Sequence, residues 1–160
     1  MPLFPTILRE RLWHSTSPER YERICETGAI LPEPDLPDKF RQGTACGPDH
    51  YPYVRHLGGI SLFDFLGFNE IEYARRCPMS NWDHFVPQND LEGNKIWIEI
   101  DRHAVGDNLI PGAALYERWE AEKAYRHKLM PYIEAAHLGP LPLRCVSQAL
   151  RYSGGEWRML

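Results

Sequence analysis

The stretch Leu12 to Leu31, LWHSTSPERYERICETGAIL, constrains this chain more than any other because it carries its own start and stop signals. A strand-like run from Leu8 to Trp13 ends on a histidine, His14. Ser15, Thr16 and Ser17 then supply hydroxyls just ahead of Pro18. Ser17 is placed to accept from a free backbone N–H of a first helical turn, and Pro18 takes the first helical position, where no donor is needed. Tyr21, Ile24 and Cys25 follow at helical spacing, and Gly28 stands where a left-handed residue closes a helix. The order is strand, histidine, short capped helix, glycine, short apolar strand.

With 160 residues, 43% hydrophobic and 25% charged, the chain suits one globular domain spanning 1–160. A net charge of −4 argues against a general binder of nucleic acid or anionic membrane, since counterion release needs clustered Lys and Arg. Cys25, Cys46, Cys77 and Cys145 show no CxxC spacing, and the N-terminal residues read as neither signal peptide nor membrane anchor. Free thiols and a cytoplasmic setting are the expectation.

Downstream, Pro32 to Gly58 carries five prolines and no sustained period, so it reads as a long loop, with Asp49–Tyr53, Arg55 and His56 placed to line a pocket. Gly58 to Phe65 is an apolar run of strand length. A helix follows: Asn69 is its N-cap, Glu70 and Glu72 suit its positive end, Arg75 and Arg76 its negative end, and Pro78 bars continuation. Cys77 to Asn94 is irregular, pinned by Trp82, Phe85 and Val86. Lys95 to Asp101 alternates Ile96, Ile98 and Ile100 against Trp97, Glu99 and Asp101, the period of a half-buried strand. After a turn-rich Arg102 to Gly112, the residues Ala113 to Leu129 suggest an amphipathic helix with much charge. Glu120 and Glu122 form an E-x-E pair there, yet on a helix they diverge by roughly 200° about the axis. Glu134 opens a further strand to Leu138, followed by a Gly139-Pro140 turn and a short apolar stretch to Leu150.

Three of these segments resemble, in chain order, the motifs of the ADP-ribosyltransferase superfamily, the fold of diphtheria-like toxins and poly-ADP-ribose polymerases. Leu12-x-His14-x-Thr16-Ser17 with Thr27-Gly28-x-Ile30-x-Pro32 is similar to its first motif, Gly59-Ile60-Ser61-Leu62-Phe63-Asp64 to its Gly-Ile-Tyr-Phe-Ala-Asp segment, and Glu134 with the Gly-Pro turn to its last. The resemblance covers about half of the chain and leaves the middle loops unmatched.

It implies an α+β, ADP-ribosyltransferase-like fold with short helices, in which two small, mostly antiparallel sheets form a cleft for NAD. His14 would hold the adenosine ribose of NAD, Ser15 the nicotinamide carboxamide, and Tyr73 would stack on the nicotinamide; Thr16 and Ser61 belong to the same cofactor set. Ser61 stands where the family has a tyrosine, the step to Tyr73 is about one residue longer than the family's, and Phe63, Phe65 and Phe68 offer another aromatic wall. Glu134 would be the catalytic carboxylate that stabilises positive charge on the ribose as nicotinamide leaves; Glu120 and Glu122 are the alternative.

The implied function is transfer of ADP-ribose from NAD, as substrate, to an unidentified macromolecular acceptor, protein more than nucleic acid. Tyr132 stands where arginine-directed members have an acidic residue, which disfavours an arginine acceptor. Other readings stay open: an RNA 2′-phosphotransferase-like enzyme of the same fold using Arg55, Arg75 and Arg76, an inactive binding or immunity protein, and a metal enzyme on His50, His56, His84 and His103, whose spacing matches no known ligand motif. No metal and no membrane contact is expected.

Overall fold

In the computed structural model, which describes residues 3–41, 46–88 and 93–160, the chain is a mixed α+β structure built mostly from antiparallel strands with few short helices. Residues 42–45 of the long loop and 89–92 of the irregular stretch, including Asn89 and Asp90, lie outside the described residues. β1 (Leu12–Thr16) leads into α1 (Pro18–Thr27) and β2 (Ala29–Ile30). α2 (Tyr53–His56) precedes β3 (Gly59–Asp64), and α3 (Glu70–Arg76) follows it. β4 (Asn94–Ile100), α4 (Arg102–Val105), β5 (Leu109–Ile110) and α5 (Gly112–Ala121) make up the second half up to the last strands. These are β6 (Glu134–Leu138), β7 (Leu141–Pro142), β8 (Val146–Ser153) and β9 (Glu156–Met159).

Seven strands form one sheet in the order β5-β6-β3-β1-β4-β8-β9, and β2 pairs with β7 in a separate ribbon. The two small sheets expected from the sequence are not separate here: β1 joins β3 and β4 into a single sheet, and the second sheet is only the β2–β7 ribbon. β1 pairs with β4 along its whole length, Leu12 to Thr16 against Ile100 to Ile96. Toward β3 its register covers only Leu12↔Asp64 and Trp13↔Phe63. Beyond Trp13 the sheet is open, so the β3-facing side of His14 to Thr16 lies outside that ladder.

The helix signals read from the sequence are used as chemistry dictates. Ser17 Oγ accepts from Arg20 N at 3.2 Å, Pro18 takes the first turn, and Gly28 closes α1 at φ 81°. Asn69 Oδ1 accepts from Ile71 N at 3.1 Å and Glu72 N at 3.0 Å, satisfying donors that α3 itself leaves unpaired.

Four expectations need correction. The run from Leu8 to Trp13 is not one strand: Thr6–Leu8 is a 3₁₀ turn, Glu10 takes φ 62°, and the strand starts at Leu12. Trp13 Nε1 donates to the Leu8 carbonyl at 3.0 Å, folding that turn against the sheet, and His14 sits in mid-strand. β4 is covered on both faces, with Ile96, Trp97 and Ile98 all buried, because Trp97 packs among Trp13, Phe63 and Trp157 while the isoleucines join Leu12, Leu62 and Ala135. The helix expected to reach Leu129 stops at Ala121: Lys123 enters φ 51° and Trp119 Nε1 captures the His127 carbonyl at 2.8 Å, turning the segment back. The long loop hides α2, whose Tyr53 and Val54 are buried under α5 and β6.

Asp64, at the end of β3, accepts from Gly112 N at 3.1 Å and forms an ion pair with Arg102, and its own N–H donates to Ile133 O at 2.6 Å. One buried residue thus seats α4 and α5 through its carboxylate and the entry to β6 through its backbone N–H. The seat leaves no room at Gly112, where a β-carbon would lie 2.0 Å from the Tyr132 carbonyl oxygen. Gly112→Ala is therefore expected to destabilise the fold by about 3 kcal/mol, the upper range for an inserted methyl. Urea unfolding measures this, and a midpoint equal to that of the unmodified protein would contradict the packing described.

Candidate functional site

Where β1 and β3 part, three residues are linked, one bond going to a main-chain carbonyl and the other between side chains. His14 Nδ1 lies 3.1 Å from the Ser61 carbonyl oxygen, spanning the opening. A carbonyl only accepts, so Nδ1 carries the proton and Nε2 is left as an acceptor. Ser61 Oγ donates to Glu134 Oε2 at 2.7 Å. Both residues lie on one face of the β3–β6 pair, because Glu134 is opposite Phe63 and Ser61 opposite Ala136.

The carboxylate of Glu134 is preset by the turn before it. Glu134 Oε1 accepts from Met130 N at 3.1 Å, and Glu134 N donates to Met130 O at 3.0 Å. Tyr132, inside this turn, takes φ 63°, packs against Tyr116 with the rings tilted by 33° and their centroids 4.4 Å apart, and has the Arg76 guanidinium 3.9 Å from its ring centre. Burial raises the carboxyl pKa above the ordinary glutamate value, opposed by the bonds from Ser61 and Met130. Burial also lowers the pKa of His14, opposed by the Ser61 carbonyl and assisted by Arg20, so the ring is neutral at neutral pH.

Beside this chain lies a cavity of about 660 Å³, bounded by β1, α1, the residues after β2, and the approach to β3. His14, Ser15, Thr16 and Ser61 line it. Ser15 Oγ is buried without a hydrogen-bond partner among the described residues. Glu134 is one hydrogen bond away, behind Ser61.

Tyr73 is placed differently from the stacking role the resemblance implies. It is only 6% exposed, packs with its ring centroid 5.4 Å from that of Phe68, and places its hydroxyl 2.8 Å from Ser80 Oγ while donating to Pro131 O at 2.9 Å. Burial raises its hydroxyl pKa, and Glu134 adds to the rise, so it lies near the carboxylate but inside the core. Phe63, opposite Glu134 on β6 and Trp13 on β1, packs with Phe85 6.5 Å from it and Trp97 at 5.3 Å.

Glu120 and Glu122 are engaged elsewhere: Glu120 accepts from Tyr125, and Glu122 accepts from Tyr53 at 2.7 Å and from Arg118 at 2.9 Å. Neither lines the cavity. Among the described residues no three His, Cys, Asp or Glu side chains gather as a metal-ligating group. Among the described residues no helix is long and apolar enough to cross a membrane.

Of the positive lining, the sequence pointed to Arg55 but not to the other arginines. Arg20 and Arg23, one turn apart on α1, face the cavity together with Arg41 and Arg55. Their three-residue spacing was the available signal. Arg75 and Arg76, read as the partners of Arg55, instead pair with Glu72 and cover Tyr132.

A raised carboxyl pKa in the folded state means that the native protein binds a proton which the unfolded chain has lost, so stability falls as pH rises above the unfolded value near 4.5. Glu134→Gln removes this dependence. Its stability relative to the unmodified protein is expected to increase between pH 4.5 and 7.5, measured by urea unfolding at both; a constant difference would refute the desolvated carboxylate. Neither a known family model nor a curated protein sequence matches the chain.

Proposed function

We propose that the chain transfers ADP-ribose from NAD to a macromolecular acceptor and releases nicotinamide, using an ADP-ribosyltransferase-like fold. The observation that carries this reading is the His14–Ser61–Glu134 chain across an opening in the sheet, with a carboxylate held at its inner end. In the reaction the bond from the ribose C1′ to the nicotinamide nitrogen breaks. Its electron pair neutralises the ring, and positive charge develops on the ribose. Glu134 would face that charge, held by Ser61 and the Met130 N–H so that no reorganisation is needed as it forms. The acceptor then attacks C1′ and gives up a proton. His14, neutral with Nε2 free to accept, suits a ribose hydroxyl. Ser15, Thr16 and the unpaired edge of β1 suit the carboxamide, and Phe63 offers the aromatic face that Tyr73 does not, which a cationic ring favours. The positive charge of the bound ring would draw the Glu134 pKa back down.

The acceptor is read as protein rather than nucleic acid, from the net charge of −4, and the setting as cytoplasmic, with all four cysteines free. A second reading, an RNA 2′-phosphotransferase of the same fold, draws support from the arginines in the cavity, which suit a phosphate.

Incubation of the protein with NAD is expected to release nicotinamide. Glu134→Gln should lower turnover by about two to three orders of magnitude with little change in KM, the usual loss when one charge-stabilising group is removed. Glu120→Gln and Glu122→Gln should retain most of the turnover. If the unmodified protein neither binds nor cleaves NAD, the transferase reading fails and an inactive binding protein takes its place.

A second measurement addresses the ring pocket. Nicotinamide should bind more tightly than nicotinic acid, which lacks amide N–H donors and brings a charge into a partly closed site. Equal affinity in calorimetry would exclude a carboxamide-reading pose.

A further inference from the structure

At the far side of the same cavity Arg55 is held in an unusual way. Its Nη2 donates to Asp38 Oδ1 at 2.9 Å, its Nε stands 3.9 Å from Glu33, and its guanidinium carbon lies 3.7 Å from the centre of the Tyr51 ring. Asp38 also accepts from the Tyr51 hydroxyl at 2.8 Å, and Glu33 from Arg41 at 3.0 Å. Yet Arg55 Nε and Nη1 are buried without a hydrogen-bond acceptor, although the side chain lines the cavity. A guanidinium shielded from water with donors unused is a costly arrangement, and an anion would relieve it. The two carboxylates that hold it are themselves exposed, 66% for the Glu33 side chain and 51% for that of Asp38. They come from the segment that Arg20, reaching from α1, fastens by donating to the Phe40 carbonyl.

We infer that Arg55 is the anchor of a phosphate-binding site whose place is taken in the unliganded protein by the carboxylates of Glu33 and Asp38. The planar fork of arginine fits a carboxylate and a phosphate oxygen alike. A whole diphosphate or a phosphate monoester carries more charge than either carboxylate and reaches the site through a cavity also lined by Arg20 and Arg23. When it binds, the carboxylates of Asp38 and Glu33 give up Arg55 while the Tyr51 ring stays on its guanidinium. Asp38 keeps the Tyr51 hydroxyl as a partner and Glu33 keeps Arg41, so neither carboxylate is stranded. The inference deepens the proposed function and rests on it for the ligand: the phosphate belongs either to the diphosphate of a dinucleotide or to a 2′-phosphorylated ribose.

Calorimetry at fixed ionic strength with inorganic pyrophosphate, ADP, ADP-ribose, adenosine 2′-monophosphate and nicotinamide tests this. Arg55→Met should weaken binding of the phosphate-bearing probes by about ten- to a hundredfold, the loss of one or two hydrogen bonds to a charged group, and leave nicotinamide unaffected. Arg55→Lys, which keeps the charge without the fork, should fall between, and answers the case in which the Met variant does not fold. Asp38→Asn and Glu33→Gln should each bind phosphate more tightly than the unmodified protein, because the competitor is weakened. Tighter binding of ADP and ADP-ribose than of adenosine 2′-monophosphate assigns the site to a diphosphate, and the reverse order to a 2′-phosphate. The inference is overturned if Arg55→Met binds pyrophosphate as the unmodified protein does, if the unmodified protein binds no phosphate probe, or if Asp38→Asn weakens binding as much as Arg55→Met. Phosphate binding lost with Arg55, in a protein that releases no nicotinamide, leaves this site standing and removes the transferase reading. Nicotinamide release with an unchanged KM for NAD in Arg55→Met does the opposite.

Discussion

The junction of β1 with β3 is two residue pairs long, and most of what is distinctive in this molecule follows from it. Had the ladder continued past Trp13, His14 to Thr16 would have been pressed against Gly59 to Leu62 and there would be no opening. Side chains of opposite demands keep the two strands together at one end and apart at the other. Leu12 and Trp13 are buried where the strands touch, and Asp64, their neighbour across the ladder, is tied to Arg102 and Gly112. Further along, a histidine ring replaces a backbone partner by bonding the Ser61 carbonyl. The opening is therefore spanned by a polar side chain where a ladder would have used amides.

The buried faces explain how so short a junction holds. On one face the isoleucines of β4 join Leu12, Leu62, Ala135 and the half-buried Tyr21 and Ile24 of α1. On the other, Trp13, Phe65, Tyr73, Trp82 and Trp97 form an aromatic cluster that extends across both halves of the sheet. Residues from β1, β3, β4 and β8 share these two layers, so the halves are joined through their packing more than through the ladder between them. Tyr73 belongs to that mortar, and this is why its hydroxyl is spent on Ser80 and Pro131.

Local signals were the most legible part of the sequence. Ser17-Pro18, Gly28 and Asn69 specify helix ends through bonds to residues within one turn, and all are used as their chemistry predicts. The strand at Glu134 and its chain to Ser61 and His14 involve residues far apart, and here only a family likeness connected them. Where both kinds of information were lacking, the reading stopped. The Gly154-Gly155 pair turns β8 into β9, a hairpin signal present in the sequence and passed over. The end of α5 depends on Trp119 reaching the His127 carbonyl, a contact without a local code. The role of Arg55 depends on carboxylates that the proline-rich loop returns to it, and that loop has no period to read.

The strand order also has a consequence for how the chain comes to be folded as it is made. β1 is the innermost strand of the sheet and the first to leave the ribosome, yet neither of its neighbours exists until β3 and then β4 have followed. During that interval a strand bearing Leu12 and Trp13 must remain unpaired at both edges, the kind of segment that seeks improper partners. α1, the next element in the chain, has caps and stop in its own sequence and packs Tyr21 and Ile24 on the cluster that holds Leu12, so it is placed to cover one face of the strand, not its edges. The helix that borders the cavity in the finished molecule is thus also the first partner the chain supplies for the apolar face of β1.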